Sequence, residues 1–161
     1  MLTQAEIQSK LHYDSETGIF TWKISGYGIR KNKQAGGLSP DGYKTIMING
    51  KNYMAHRLVW LYVYGEFPIN YIDHINHNKL DNRLINLRHA TNSENQQNRN
   101  LPASHNKVGF LGVIKRKERN TYHGQVYVNK KCYKTKSFKT PEEAHEAYLE
   151  LKRKLHKFCT I

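Results

Sequence analysis

The sequence predicts an α+β protein built from short helices and short antiparallel strands. Three observations support this prediction. An Asn-Gly dipeptide at residues 49–50 joins two segments of strand character. A strand–loop–strand–helix pattern fills residues 71–98, and three further strand-like segments precede an amphipathic helix in residues 109–155. Helices and strands therefore alternate in small groups along the whole chain.

The first elements are a short helix and a strand. Thr3 and Glu6 have the spacing of a capping box, which predicts a helix at the start of the chain. A turn cluster at residues 14–18 follows, and residues 19–22 have the composition of a strand. The glycine-containing stretch 23–40 is predicted to be mostly loop.

A β-hairpin and a helix come next. Residues 43–48 and 51–54 flank Asn49-Gly50, and this dipeptide supplies the two positive-φ positions of a type I′ turn. Residues 55–64 change to helical spacing, and Gly65 with Pro68 is expected to end that helix. In the following unit we predict a strand from Tyr71, a second strand at Leu84–Arg88, and a helix beginning near Asn92.

The C-terminal region has its own strand and helix pattern. Residues 109–115, 122–128 and 131–138 are predicted to be strands. Thr140, Pro141 and the two glutamates after them are typical of a helix start. Apolar residues at spacings of three and four predict that this helix packs on the three strands through Ala144, Ala147, Tyr148, Leu151 and Leu155.

The charge of the chain is uneven and strongly positive. The 161 residues carry a net charge of +13, of which residues 99–161 contribute +10 and residues 71–98 contribute none. A basic segment of this kind is the electrostatic signature of nucleic-acid binding. No apolar run approaches the ~20 residues of a membrane-spanning helix, and the N-terminus lacks the pattern of a signal peptide. Two cysteines without Cys-x-x-Cys spacing argue against a disulfide scaffold and a cysteine-ligated zinc site.

The polar residues in the neutral middle of the chain suggest phosphodiester hydrolysis. That chemistry needs a base that deprotonates water and a hard cation that neutralises charge on the phosphate. Mg²⁺ prefers oxygen ligands, which Asp73 and Asn95 offer, and a neutral imidazole such as His74 can act as the base. A strand–loop–strand–helix unit can bring the end of the first strand beside the first turn of the helix.

This segment resembles the HNH endonuclease motif of phage and intron-encoded nucleases. The matching pieces are Ile-Asp-His-Ile-Asn at 72–76, Asp-Asn-Arg-Leu at 81–84, Asn-Leu-Arg at 86–88, Ala-Thr at 90–91 and Glu-Asn at 94–95. The preceding residues 56–60 and 65–68 also look like that family. The resemblance implies a ββα-metal (His-Me finger) nuclease core that hydrolyses DNA.

The resemblance also implies roles for individual residues. His74 would be the general base, Asn86 would orient the loop that bears it, and Asp73 and Asn95 would ligate the metal. Many members have a second His where this chain has Asn95, which favours a Mg²⁺-type site, with Mn²⁺ as a substitute, over zinc or nickel. His77 is an alternative base, and Asn92 and Asn98 are alternative ligands on the same helix.

The basic end resembles a second family, the Apetala-type domain of plant ethylene-response factors. The resemblance rests on Gly-Phe-Leu-Gly-Val at 109–113, Tyr-His-Gly-Gln-Val at 122–126 and the stretch from Ser137 to Ala144. It implies a three-stranded antiparallel sheet backed by one helix, which contacts the DNA major groove. We predict DNA contacts from a set of polar and basic side chains on this sheet and one in the middle region: Arg116, Gln125, Tyr127, Lys134, Lys136 and Arg88. For Arg88, pairing with an acidic side chain is the alternative to a contact with DNA.

The predicted domain organisation has four parts. Residues 1–54 form an N-terminal α+β region, 55–99 the nuclease core, 100–107 a linker and 108–161 the DNA-binding domain. The chain is predicted to be a site-directed endonuclease of a phage or mobile element that acts on double-stranded DNA in the host cytoplasm. We expect no membrane and no obligatory protein partner, and both a monomer and a dimer stay open. The rival hypothesis is a non-catalytic DNA-binding regulator that retains an HNH-like fold.

Overall fold

The computed structural model describes residues 1–103 and 106–160. The chain divides into two compact units, Met1–Asn92 and Ser93–Ile161, and each is described by itself. None of the helices in the described residues combines the length and the apolar character needed to cross a lipid bilayer.

The first unit begins with a capped helix and a two-stranded sheet. Helix α1 (Gln4–Lys10) starts after Thr3, whose hydroxyl accepts a hydrogen bond from the Glu6 amide at 3.2 Å, and this confirms the predicted capping box. Strand β1 (Leu11–Asp14) pairs antiparallel with β2 (Ile19–Trp22). The sequence predicted β2 but not β1, because the apolar Leu11 also fits the helical spacing that precedes it.

The Asn-Gly hairpin forms as predicted. Strands β3 (Gly37–Leu38), β4 (Lys44–Ile48) and β5 (Lys51–Met54) form an antiparallel sheet in the order β3-β4-β5. Asn49 and Gly50 have φ angles of 51° and 74°. Two consecutive positive φ angles are the signature of the type I′ turn, which matches the right-handed twist of the two strands.

Helix α2 (Ala55–Tyr64) follows directly and ends at Gly65, which has a left-handed φ of 83°. Both limits agree with the prediction. The helix contacts α1, β4 and β5. The core of the first unit is a single apolar cluster drawn from the predicted N-terminal region and from the predicted nuclease core: Leu2, Ile7, Leu11, Tyr13, Phe20, Trp22, Ala35, Ile46, Ile48, Leu58, Val59, Leu61, Ile72 and Leu87.

A two-stranded sheet completes the first unit. Strand β6 (Tyr71–His74) pairs antiparallel with β7 (Leu87–Ala90). The predicted strand Leu84–Arg88 is wrong over its first three residues, which form a 3₁₀ turn, Leu84–Asn86. Local hydrogen bonds cause this difference, because the Asn86 amide donates to the Arg83 carbonyl at 2.9 Å and turns the chain before β7 begins.

The second unit contains a three-stranded antiparallel sheet and a long helix. Helix α3 (Asn92–Gln97) begins at the boundary between the units. Strands β8 (Val113–Arg116), β9 (Thr121–Val128) and β10 (Lys131–Lys134) pair in that order. The third strand was predicted to reach Phe138, but it ends at Lys134, and Phe138 instead forms an isolated bridge with Tyr122.

Helix α4 (Pro141–Leu155) packs on β8 and β9 and has Thr140 as its N-cap, with the predicted capping box to Glu143. Its buried face differs from the predicted stripe. Leu151 and Leu155 are half-buried, whereas the Lys152 side chain is 1% exposed. The Lys152 ammonium donates to the Arg99 carbonyl at 2.6 Å, which gives the buried charge an acceptor.

A second hydrogen bond ties the end of the chain to the segment after α3. The Thr160 hydroxyl donates to Asn98 Oδ1 at 2.6 Å. Ser104 and His105, two residues of the predicted linker, lie outside the described residues. The predicted limits of the domains and the linker stay a prediction.

Candidate active site

Asp73 and His74 lie at the end of β6, and both side chains are buried, at 7% and 6% exposure. The register of the sheet places Asp73 opposite Arg88 on β7. Asp73 Oδ2 accepts a hydrogen bond from Arg88 Nε at 2.9 Å and lies 2.8 Å from Arg88 Nη2. The structure shows Arg88 paired with an acid, and its contact with DNA stays a prediction. This guanidinium compensates the charge of a carboxylate that is withdrawn from water.

His74 is surrounded by polar and aromatic side chains. Its Nε2 lies 3.2 Å from Asn82 Oδ1. The His56 ring meets the His74 ring edge-on with centroids 5.2 Å apart, and the Tyr43 ring lies 6.0 Å away. Burial lowers the pKa of His74, although the Asn82 hydrogen bond and the Asp73 charge act in the opposite direction. The imidazole is therefore neutral near pH 7, which is the protonation state a proton acceptor needs.

His56 shares this environment, and its ring is neutral over a wide pH range. Burial, with a smaller effect from His74, lowers the pKa of His56 to about 3. His56 stands on the first turn of α2. Its neutral ring packs between Tyr43, at a centroid distance of 5.5 Å, and His74.

Asn86 holds both ends of the loop that follows β6. Its Oδ1 accepts from the Asn76 amide at 3.0 Å, and its Nδ2 donates to the Asp81 carbonyl at 2.8 Å. Its own carbonyl accepts from the Ile75 amide at 2.9 Å. Three hydrogen bonds from one buried residue fix the loop immediately after His74.

His77, the alternative base, lies inside this loop. It has a left-handed φ of 62°, and its amide donates to the His74 carbonyl at 3.0 Å. Its side chain is half-buried, whereas that of His74 is buried. The roles of the two histidines stay predictions.

The candidate metal ligands belong to different parts of the chain. Asp73 is on β6, and Asn95 is a half-buried residue of α3 in the second unit. That Asn95 approaches Asp73 stays a prediction. Among the alternatives, Asn98 is 2% exposed and its Oδ1 accepts from Thr160, whereas Asn92 is exposed at the start of α3. The Asn98 oxygen is thus already engaged within the second unit.

The donor set itself suits a hard cation. Within residues 1–103 and 106–160, no group of three or more His, Cys, Asp or Glu side chains is arranged to hold a metal ion. The predicted set has one carboxylate and one amide oxygen, and it fits an ion whose other ligands are water and phosphate. Mg²⁺ is the ion that most often binds in this way.

In the second unit, the strand register places several predicted DNA-contacting residues on one face of the sheet. Gln125 and Tyr127 alternate along β9 with Val126, which is buried. Lys134 lies opposite Gln125, and Arg116 lies opposite Thr121. We call the face formed by Arg116, Gln125, Tyr127 and Lys134 the open face.

Lys136 departs from the predicted arrangement because it lies beyond the end of β10. Its ammonium stands 5.3 Å from the centre of the Phe138 ring. The predicted strand 131–138 contained both Lys134 and Lys136, and this is wrong because the strand of the structure includes only Lys134. His123, for which the sequence predicted no role, alternates with Gly124 on β9 and is 4% exposed.

Comparison with known proteins identifies the class of protein to which these residues belong. A family model described as HNH endonuclease matches residues 53–97, a range that contains Asp73, His74, Asn86 and Asn95. The chain belongs to the HNH endonuclease family.

Two curated viral proteins are similar to this chain. An uncharacterized HNH endonuclease of Acanthamoeba polyphaga mimivirus is 34% identical over 113 residues, which cover 69% of this chain and 57% of that protein. Protein 3.8 of Escherichia phage T7 is 39% identical over 83 residues, which cover 51% of this chain and 68% of that protein. The chain thus spans a little over half the length of the mimivirus protein.

A solved structure is also similar, that of the HNH homing endonuclease I-HmuI. It is 26% identical with a TM-score of 0.41, over 55% of this chain and 51% of that one. Nothing in these comparisons supports the resemblance of residues 108–161 to an Apetala-type domain. That resemblance stays a prediction from the sequence.

Proposed function

We propose that this chain is a DNA endonuclease that hydrolyses phosphodiester bonds, with His74 as general base and one divalent metal ion. The observation that carries the proposal is the buried His74 beside Asp73, at the start of a loop that Asn86 fixes with three hydrogen bonds. A proton acceptor held in one orientation is the group that hydrolysis by water requires.

In the proposed step, His74 takes a proton from a water molecule as the water oxygen forms a bond to phosphorus. The bond between phosphorus and the 3′ oxygen breaks, and that oxygen gains a proton from solvent. The products are a 5′-phosphate and a 3′-hydroxyl, as the family resemblance implies. His74 then releases its proton to solvent, and its lowered pKa favours that release.

Asp73 and Asn95 are proposed to hold the metal ion, which is Mg²⁺ with Mn²⁺ as a substitute. The ion supplies positive charge to the phosphate and the leaving oxygen when it is bound. The ion pair with Arg88 balances the charge of the buried Asp73 carboxylate. The two oxygen donors are chemically matched to a hard cation and unsuited to a soft one.

The second unit is proposed to bind double-stranded DNA through its open face. Residues 99–161 carry +10 of the net charge. The open face combines Arg116 and Lys134 with the amide of Gln125. Lysines suit phosphates, whereas Arg and Gln can also read base edges in the major groove. We infer that the protein acts inside a host cell, because both relatives are viral proteins.

The test is cleavage of supercoiled plasmid, linear duplex DNA and duplex RNA by the full chain, with Mg²⁺, with Mn²⁺ and with EDTA. We expect cleavage of DNA with either ion, none after chelation, and little cleavage of RNA. The His74→Ala variant serves as the inactive control. Mapping the ends on each strand separates a nick from a double-strand cut. DNA binding without any cleavage in either ion would instead favour the regulator hypothesis.

A further inference from the structure

Asn82 is buried beside the proposed base and has no role in the function described so far. Its side chain is 3% exposed, and its Oδ1 lies 3.2 Å from His74 Nε2. It belongs to the Asp-Asn-Arg-Leu segment at 81–84, and the resemblance to the HNH motif implies no role for it. Buried polar groups are normally hydrogen-bonded, and one partner of this buried amide is the ring of the proposed base.

The orientation of the Asn82 amide follows from its second contact. Asn82 Nδ2 donates to the Leu80 carbonyl at 3.3 Å, so Oδ1 is the atom that faces His74. The opposite orientation would place two acceptor oxygens against each other at Leu80 and would lose that hydrogen bond. Since Oδ1 is only an acceptor, His74 Nε2 must carry the proton in this contact.

The backbone of Asn82 is held from a distant part of the chain. The Tyr13 hydroxyl donates to the Asn82 carbonyl at 2.8 Å. Gly18, with a φ of +72°, packs so closely that a Cβ there would lie 2.6 Å from the Asn82 carbonyl carbon. Two contacts from β1 and the turn after it therefore fix the backbone from which the Asn82 side chain reaches His74.

We propose that Asn82 is a positioning residue, which holds His74 with the proton on Nε2 and so makes Nδ1 the nitrogen that accepts the proton of the attacking water. A neutral imidazole has one protonated and one unprotonated nitrogen, so fixing the first also fixes the second. The inference rests on the proposed function, because it names the atom of His74 that acts in that reaction.

A pair of nearly isosteric variants separates this role from simple packing. Asn82→Asp keeps an acceptor oxygen toward His74, whereas Asn82→Leu removes it, and both lose the donor to Leu80. We expect Asn82→Leu to lower kcat at least ~10-fold, a fraction of the 10²–10⁴-fold that a general base contributes, with KM within about threefold. Asn82→Asp should keep most of the wild-type kcat. The same two substitutions at Asn52, an exposed residue of β5, are the matched controls.

A measurement on the unmutated chain tests the proposal even if one of the variants fails to fold. Nitrogen-15 NMR of the full chain, with the His74 signals assigned by their loss in His74→Gln, reads which ring nitrogen carries the proton at a pH where the ring is neutral. We expect the Nε2–H form, retained in Asn82→Asp and mixed with the other form in Asn82→Leu.

The outcomes of these measurements are distinct. A proton on Nδ1 in the wild-type chain, or equal kcat in folded Asn82→Leu and in wild type, would overturn the proposed role of Asn82. An equal loss in both Asn82 variants would also overturn it, because the acceptor oxygen would then be irrelevant. Failure of the wild-type chain to cut DNA with Mg²⁺ would contradict the proposed function itself. The ring protonation is read without DNA, so the two failures can be told apart.

Discussion

The two units of the chain use polar side chains in opposite ways. The first unit, residues 1–92, carries 11 basic and seven acidic side chains and buries its most reactive ones, Asp73 and His74. The second unit, residues 93–161, carries 15 basic and six acidic side chains and presents Arg116 and Lys134 in solvent. Burial fixes the orientation and lowers the pKa of a proposed catalytic group, whereas exposure lets a charge meet a phosphate. The variants below test whether chemistry and binding are divided in this way.

The largest effect is expected for His74→Ala in the first unit. A general base contributes about 10²–10⁴-fold to turnover and little to ground-state binding. Turnover of plasmid DNA should therefore fall by that factor while DNA affinity, measured by fluorescence anisotropy, changes less than about threefold. His12→Ala, an exposed histidine of the same unit, is the control. Retention of more than about a tenth of the wild-type rate would contradict the assignment of the base.

The buried histidines should also make the chain sensitive to acid. The pKa of His56 is about 3 in the folded chain and near 6.5 when unfolded, so protonation favours the unfolded state. The contribution of His56 to stability is complete above pH 6.5 and is lost as the pH falls toward 3, at about 1.4 kcal/mol per pH unit.

Urea unfolding at pH 7.5, 6.5, 5.5 and 4.5 measures this dependence. His56→Gln should be less stable at neutral pH and should show a shallower loss of stability on acidification. His12→Gln, at an exposed position, should follow the wild-type curve. An unchanged slope in His56→Gln would show that other groups account for the acid sensitivity.

In the second unit, Arg116→Ala and Gln125→Ala should relax sequence preference rather than abolish binding. A lost bidentate contact to a base edge costs about 1–3 kcal/mol at the position concerned. Selection from a library of duplexes randomised around the cleavage site measures the effect, with Arg119→Ala, outside the open face, as the control. Preferences identical to wild type in both variants would argue against base reading by the open face.

The smallest effect is expected for the lysines. Lys134→Ala and Lys136→Ala should weaken binding to all sequences about equally, and each lost phosphate contact should reduce the salt slope by about 0.9. Lys134 is on the open face, whereas Lys136 is not part of β10. Comparing the two variants shows whether a lysine must lie on the open face to contribute to DNA binding. Lys51→Ala, an exposed lysine of β5 in the first unit, should leave the slope unchanged.

Local signals predicted much of the fold correctly. The Asn49-Gly50 turn, helix α2 with its end at Gly65, and the capped start of α4 were all predicted from neighbouring residues. Each depends on backbone conformations that two to four adjacent residues decide. Strand β1, the 3₁₀ turn before β7 and the end of β10 were not predicted. Those limits depend on which partner strand or side chain the segment meets.

In the candidate active site, too, the residues close together in the sequence were predicted and the contacts between distant residues were not. The resemblance to the HNH motif singled out Asp73, His74 and Asn86, which are close together in the sequence. It did not show that Arg88 pairs with Asp73 or that Asn82 contacts His74. The Tyr13 contact to Asn82 joins residues 69 positions apart, and no local pattern contains that information.

The Lys152 contact decides where the second unit can be cut out of the chain. A fragment that begins at residue 108, at the predicted domain boundary, would keep the buried ammonium but lose the Arg99 carbonyl that accepts from it. It would also lose the Asn98 partner of Thr160. An autonomous module therefore has to start upstream of Asn98. Transplanting this sheet and helix onto a different protein, by recombination or by engineering, requires the junction to fall before that residue rather than in the proline-containing stretch that follows it.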